Sequence, residues 1–319
     1  MSELPTAIAV ERLSYLYEPD GVTALKGIDL TVRKGEFLGI IGQNGAGKTT
    51  LLKNLVGLLT PTGGRALVDG LDTRQTAVAD LATHIGLVLQ NPDQQLFAQT
   101  VEEEIAFGPR NLGLGQDEVK RRVDAAIAMT GLAEFRHDFP PALAKGDRAK
   151  VIIASVLSMQ PQIVIFDEPT TGQDYKGCHQ IMQIARQLHE EGRTVIVVTH
   201  DMALIAEYTK RTVVLCQGQV LLDGQTEAVF AKSDVLRLSA VMPPQITQLA
   251  KSLPPALGLL SQALTVEQFG RSILERLRHA STAGGAPLGK EATSERQEAR
   301  YGVQAPGVLS HEMPASGST

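Results

Sequence analysis

The most constraining stretch of the chain is Phe37–Leu52, FLGIIGQNGAGKTTLL. The apolar run Phe37–Ile41 reads as a buried strand. Gly42, Gln43, Asn44, Gly45, Ala46, Gly47, Lys48 and Thr49 come next, in the spacing G-x-x-x-x-G-K-[ST], which is that of a phosphate-binding loop. Leu51, Leu52, Leu55, Val56 and Leu59 then recur at helical spacing, which predicts a helix beginning at the loop. The order strand, loop, helix is the one such a loop requires.

The residue types suit an anion. Glycine lets the backbone wrap close to a phosphate and turn its N–H groups inward. The helix N-terminus adds partial positive charge. Lys48 offers a full charge to the β- and γ-phosphates, and Thr49 a hydroxyl for Mg²⁺. With Thr50, the loop forms the candidate nucleotide-binding set, and a nucleotide's phosphates with Mg²⁺ are the expected ligands.

Composition narrows the class. With 319 residues, 43% hydrophobic and 20% charged, the chain has enough apolar material for a large core. A formal net charge of −5 argues against a general nucleic-acid binder. Cys178 and Cys216 lie in no thiol motif and read as small buried hydrophobes. No apolar run approaches the roughly 20 residues needed to span a bilayer. The segment MSELPTAIAVERL lacks the basic flank and apolar stretch of a signal peptide, so a cytosolic protein is expected.

Taken in order, Ala7–Leu13, Tyr15–Tyr17 and Leu25–Val32 read as strands of an antiparallel sheet, with turns at Pro19-Asp20-Gly21 and Arg33-Lys34-Gly35. Ala66–Val68 and Leu87–Gln90 read as further short strands. The block from about 91 to 160 reads as a helical insert. Thr100 and Glu103 suit a capping box, Asp117 a helix cap before Val119, Val123, Ala126 and Ile127, and Pro140-Pro141 a helix break. Another helix is predicted from near Gly146. Strands return at Ile163–Phe166, Thr194–Thr199 and Thr212–Leu215, alternating with helices, as in a parallel sheet covered on both faces. Residues 231–280 read as mostly helical. Ile246, Leu249, Ala250 and Leu253 share one face, and a Thr265/Gln268 capping box precedes Phe269, Ile273 and Leu277. The tail 281–319 is rich in Gly, Ala, Ser, Pro and charge and reads as disordered.

Further positions carry candidate chemistry. The strand Ile163–Phe166 runs into Asp167 and Glu168, whose carboxylates at a parallel strand's carboxyl end would face the ligand crevice. Asp167 can hold Mg²⁺ directly or through water, and Glu168 can polarise the water that attacks the γ-phosphate. His200 ends the strand Val195–Thr199. It can bond the γ-phosphate or merely cap backbone. Gln90 can reach Mg²⁺ and the attacking water, though alone it reads as a surface glutamine. Tyr17 can stack on adenine or serve as an ordinary strand aromatic.

Together these elements resemble the ATPase subunit of ABC transporters over roughly residues 7–230. Gly42–Thr49 matches the Walker A motif, Ile163–Glu168 Walker B, Gln90 the Q-loop, Thr171-Gly172-Gln173-Asp174 the D-loop and His200 the switch histidine. The stretches QNPDQQLF (90–97) and TVEEEIAFGP (100–109), with the C-terminal extension, are similar to the energy-coupling-factor ATPases, which power uptake of vitamins and of cobalt or nickel ions. The resemblance implies an α/β P-loop NTPase of the ABC type. It would have a parallel core sheet, an N-terminal antiparallel β-subdomain and a helical insert (1–230), then a small C-terminal helical extension (231–280). It also implies a cytoplasmic protein peripheral to the membrane, working with a second ATPase subunit, identical or related, and a transmembrane coupling subunit. A substrate-capturing membrane protein would be an indirect partner.

One departure stands out. The family signature reads Leu-Ser-Gly-Gly-Gln, and the matching place here reads Leu143-Ala144-Lys145-Gly146-Asp147. In the family each signature touches the γ-phosphate bound to the opposite subunit. Ala144 removes a hydroxyl donor, Gly146 and the helix N-terminus remain, and Lys145 either substitutes a charge or is simply solvated. A transporter role has two rivals. One is a soluble ABC ATPase of assembly or repair, which the lack of long coiled-coil insertions and of a second ATPase half disfavours. The other is a weakly hydrolysing regulatory partner of a second ATPase, which the altered signature favours and intact Glu168 and His200 disfavour.

Overall fold

A computed structural model describes residues 4–19, 21–89 and 95–283. The chain divides by its contacts into Met1–Leu277 and Arg278–Thr319, and the first unit contains both sheets and the phosphate loop. Gln90 and most of the predicted 281–319 tail fall outside the described residues.

Two long strands, β1 (Thr6–Tyr17) and β2 (Val22–Arg33), pair antiparallel, as the alternating pattern predicts. With β4 (Gly63–Val68) and β5 (Leu71–Asp72) they make a sheet in the order β2-β1-β4-β5. The second sheet contains β3 (Phe37–Ile41), β6 (Ile85–Val88), β7 (Ile163–Asp167), β8 (Thr194–Val198), β9 (Arg211–Cys216) and β10 (Gln219–Gln225). Its order is β10-β9-β3-β8-β7-β6, parallel apart from β10. Strands β3, β7 and β8 are buried at every residue, which is why they read as apolar runs apart from Asp167 and Thr194 at their ends.

Helix α1 (Lys48–Leu55) lies between the sheets. Leu51, Leu52 and Leu55 join Ile8, Leu13 and Leu30 on one side and Ile40, Ile196 and Leu215 on the other in one apolar cluster. This burial anchors the helix whose first residue is Lys48. A short helix, α2 (Val78–Leu81), precedes β6.

The insert is a three-helix unit of α3 (Val101–Asn111), α4 (Gln116–Thr130) and α5 (Lys145–Leu157). Val101, Ile105, Val123, Ile127, Val151 and Ala154 form its interior. The other face of α5 (Ile152, Ile153, Val156) packs with Phe166 of β7 and with Ile181 and Ala185 of α6 (Tyr175–Glu190), so α5 belongs to the insert and the core together. Beyond α7 (Met202–Tyr208), the chain continues through α8 (Thr226–Ala231), α9 (Ser233–Leu238), α10 (Gln245–Ser252) and α11 (Val266–Ala283). Phe230, Leu236, Val241 and Leu264 share a buried cluster with Ile41, Ile205 and Val214 of the core.

Several expectations need correction. α1 stops at Leu55 rather than running to Leu59, because Leu58 and Leu59 N–H groups both turn back to the Lys53 carbonyl. The strand predicted at Leu87–Gln90 lies two residues earlier, in register with Ile163–Phe166. Asp117 does not cap α4, which begins after Gly115, and Asp117 sits in its first turn. α4 ends at a left-handed Gly131, well before Pro140-Pro141, which instead form a short 3₁₀ turn leading to α5. Strand β10 has no counterpart among the predicted elements. Leu249, Ile273 and Leu277 are exposed, so only part of the expected apolar faces of α10 and α11 is buried. Both capping boxes place their hydroxyl as expected. Thr100 accepts from Glu103 N–H, and Thr265 accepts from Gln268 N–H while the Gln268 amide oxygen accepts from Thr265 N–H.

Gly39 in β3 shows how tightly this core closes. A Cβ there would lie 2.9 Å from Ile205 Cδ1 and 3.1 Å from Thr209 Oγ1. Gly39→Ala should therefore cost about 1–3 kcal/mol of stability, read as a lower urea midpoint with an unchanged slope. A parental midpoint would show that α7 yields freely.

Candidate nucleotide site

The site is built at the carboxyl ends of β3, β7 and β8, where the parallel sheet delivers three chain segments to one edge. After β3, Gly42 takes φ 152°, and a Cβ there would collide with the Leu215 carbonyl oxygen. Gly47, at φ 100°, is the N-cap of α1, and a Cβ there would lie 2.6 Å from the Ala24 carbonyl oxygen. Only glycine fits both conformation and space at these two points.

Lys48 is buried, 8% exposed, and its ammonium arches back over the loop to donate to the Gly42 carbonyl at 2.7 Å and the Gln43 carbonyl at 3.2 Å. Burial pushes its pKa down, and the nearby Glu168 and Asp167 carboxylates pull it partly back. Asp167 is 3% exposed and is pushed up, chiefly by burial. The Thr49 hydroxyl, which donates to its Oδ2 at 3.2 Å, works against that rise.

Glu168 follows β7 with φ 51°, an uncommon conformation for a non-glycine residue. Its N–H bonds the Val198 carbonyl of β8 at 2.8 Å, which fixes the turn. Its carboxylate Oε2 lies 2.7 Å from His200 Nδ1. His200 is itself largely exposed, so the pair presents a buried carboxylate held by an imidazole at the edge of open space.

A cavity of about 860 Å³ joins these groups. Its walls include Gly42, Gln43, Asn44, Gly45, Ala46, Gly47, Lys48, Thr49 and Thr50, with Asp167, Glu168 and His200. Tyr17 lines the same cavity, with its hydroxyl 3.1 Å from Thr50 Oγ1 and its ring edge-on to Tyr15. Sequence reasoning missed Val22, Thr23 and Ala24 on one wall and Met202 and Ala240–Met242 on another. None belongs to a motif, and only the fold brings them there.

The Thr49 hydroxyl and Asp167 carboxylate are hard oxygen donors 3.2 Å apart, as a Mg²⁺ ion shared with phosphate oxygens needs. Among the described residues no group of three or more His, Cys, Asp or Glu side chains could hold a metal ion.

The structure does not bring Ala144, Lys145, Gly146 and Asp147 to this cavity. Ala144 is the N-cap of α5 and supplies no side-chain cap. Lys145 is exposed and its ammonium rests on Gly172, where a Cβ would collide with it. In this conformation Lys145 therefore contacts the Thr171–Asp174 loop of its own chain. Asp174 caps α6 by accepting from Gly177 N–H at 2.7 Å.

The fold and the glycine-rich loop define a P-loop nucleotide-binding protein. Residues 25–171 match the ABC transporter family model. The energy-coupling factor transporter ATP-binding protein EcfA of Methanocaldococcus jannaschii is 36% identical over 267 residues, covering 83% of this chain and 96% of that protein. A Methanosarcina acetivorans protein, provisionally named an ABC transporter ATP-binding protein, is 41% identical over 249 residues, or 78% of this chain. The chain spans 40% of that relative's own length. The solved structure of cbiO1 from Clostridium perfringens, described as part of the ABC transporter complex cbiONQ, superposes with a TM-score of 0.67 at 37% identity. It covers 77% of this chain and 99% of that one. The chain belongs to the ATP-binding proteins of ABC transporters.

Because burial raises Asp167 above its ordinary value of 3.8, the folded chain holds this proton to higher pH than the unfolded chain does. Stability from the protonated form is present at low pH and falls as pH rises through the native value. Asp167→Asn removes that loss. Nucleotide-free thermal melts from about pH 4 to about pH 8 should show the variant gaining on the parent as pH rises. Parallel profiles would contradict the assignment.

Proposed function

We propose that the chain binds ATP with Mg²⁺ at the Lys48 loop and hydrolyses it to energise a membrane importer, of the energy-coupling-factor type for a vitamin or a transition-metal ion. The observation that carries this reading is the Glu168 carboxylate, held 2.7 Å from His200 in the cavity that also contains Lys48. In this reading Lys48 and the loop N–H groups hold the phosphates, and Tyr17 stacks on the base. Thr49, Asp167 and Gln90 hold the Mg²⁺, which offsets charge on the phosphates when bound. Glu168 takes up a proton from the attacking water, and His200 orients Glu168 and bonds the γ-phosphate.

The partners belong to the same reading. A second ATPase subunit, identical or related, lends its signature in trans, and Ala144–Asp147 of this chain would serve the partner's nucleotide. A transmembrane coupling subunit docks on the helical insert, and a substrate-capturing membrane protein works through it. Exposed Phe97 and Phe107, edge to face at 4.7 Å, support such a docking place. So does buried Glu104, whose Oε2 accepts from the Phe97 and Ala98 N–H groups and fixes that loop to α3. The names of the EcfA and cbiO1 relatives favour the transporter assignment over a soluble ATPase. Among the described residues no helix is long and apolar enough to cross a membrane, which fits a peripheral subunit at the cytoplasmic face. Residues 1–230 are taken as the ATP-binding domain, with 231–280 as its extension. A second reading, a weakly hydrolysing regulatory partner, is favoured by Ala144 and by Lys145 lying on its own chain.

Glu168→Gln should bind ATP as the parent does while turnover falls roughly 10²- to 10⁴-fold, measured by phosphate release and by calorimetry. Undiminished hydrolysis would remove Glu168 from the base role.

A further inference from the structure

The cavity has a wall that the ATPase motifs do not supply. Ala240, Val241 and Met242, from the turn after α9, line it together with Met202 at the start of α7.

This turn is rigidly made. Ser239 is fully buried and its hydroxyl donates to the Leu236 carbonyl at 2.8 Å, while Val241 N–H reaches the same carbonyl at 3.2 Å. Ala240 N–H bonds the Arg237 carbonyl at 3.0 Å, and Ala240 adopts φ 50°, a left-handed conformation that costs a non-glycine residue energy. That reversal lets Val241 enter the core, 6% exposed among Ile41, Val214 and Leu264, and leaves the next residue facing out. Pro243 and Pro244 are buried, and Gln248 Nε2 donates to the Pro243 carbonyl at 2.8 Å, so the exit is fixed as well as the entry. Met242, 50% exposed between two anchored neighbours, is among the residues that line the cavity.

We infer that the Ser239–Met242 turn is part of the nucleotide site, with the Met242 side chain touching the bound nucleoside triphosphate. This rests on the proposed ATP binding. The C-terminal extension then reads nucleotide occupancy within its own chain. The nucleotide meets Met242, and Met242 is tied through Val241 to the cluster holding Leu236 and Leu264. By linkage, if nucleotide changes the affinity of the extension for a partner, that partner changes nucleotide affinity by the same factor. A thioether suits the place, since it is apolar, adaptable and uncharged beside an anionic ligand.

Methyl-labelled methionine spectra of the full chain test this. Met202 is the internal control, because it lines the same cavity from the start of α7, outside the turn. Mg²⁺ with a non-hydrolysable ATP analogue should shift both the Met202 and Met242 methyl signals, assigned by Met→Leu variants. Calorimetry with the same analogue should give a Kd roughly tenfold weaker for Met242→Glu, whose carboxylate would enter a cavity that holds an anionic ligand, and a near-parental Kd for Met242→Leu. A shift at Met202 alone, with Met242→Glu binding like the parent, would overturn the inference and leave ATP binding intact. No heat of binding and no shift at either methionine would overturn the nucleotide site itself, and this inference with it.

Discussion

The arrangement depends on a lysine ammonium kept out of water. Lys48 is desolvated enough to lower its pKa, yet it stays beside Asp167 and Glu168 and donates to two carbonyls of its own loop. A buried cation is costly unless paired, and these partners satisfy it only in part. Asp167 bears the complementary cost, since burial pushes its pKa up. Positive and negative groups are thus confined at one sheet edge with incomplete compensation. In the proposed reading a polyphosphate with a divalent cation would complete both sides, with oxygens for the lysine and metal charge for the carboxylate.

Everything else holds those charges in register. The parallel strands β3, β8 and β7 set the loop, His200 and the Asp167-Glu168 pair side by side. The cluster from both sheets around Leu51, Leu52 and Leu55 fixes α1 and with it Lys48. The backbone strain at Glu168 is sustained by its bond to Val198 and by the His200 contact. Helix α5 shares apolar contacts with β7 and α6 on one face and with α3 and α4 on the other. Helix α5 thereby joins the insert to the strand that ends in Asp167.

Much of this is legible in the chain itself. The spacing of Gly42, Gly47 and Lys48 and the runs Phe37–Ile41 and Ile163–Phe166 are local signals, because strands buried on both faces are mostly apolar. Element ends are less legible. Val56 and Leu59 keep the apolar period of α1 while the backbone has already turned, so the pattern overextends that helix. Pro140-Pro141 reads as the end of α4, but the left-handed Gly131 ends it earlier. The exposed leucines of α10 and α11 illustrate that periodicity gives a face but not what covers it. The Met242 wall has no sequence signal, since it arises from a turn roughly 200 residues downstream of the loop it faces.

Calorimetric titration of Mg·ATP into the chain and into Lys48→Ala tests the central role of this ammonium most directly. One nucleotide per chain is expected for the parent, and no measurable binding for a folded Lys48→Ala variant. Equal binding by the two proteins would contradict that role, as would no binding by the parent.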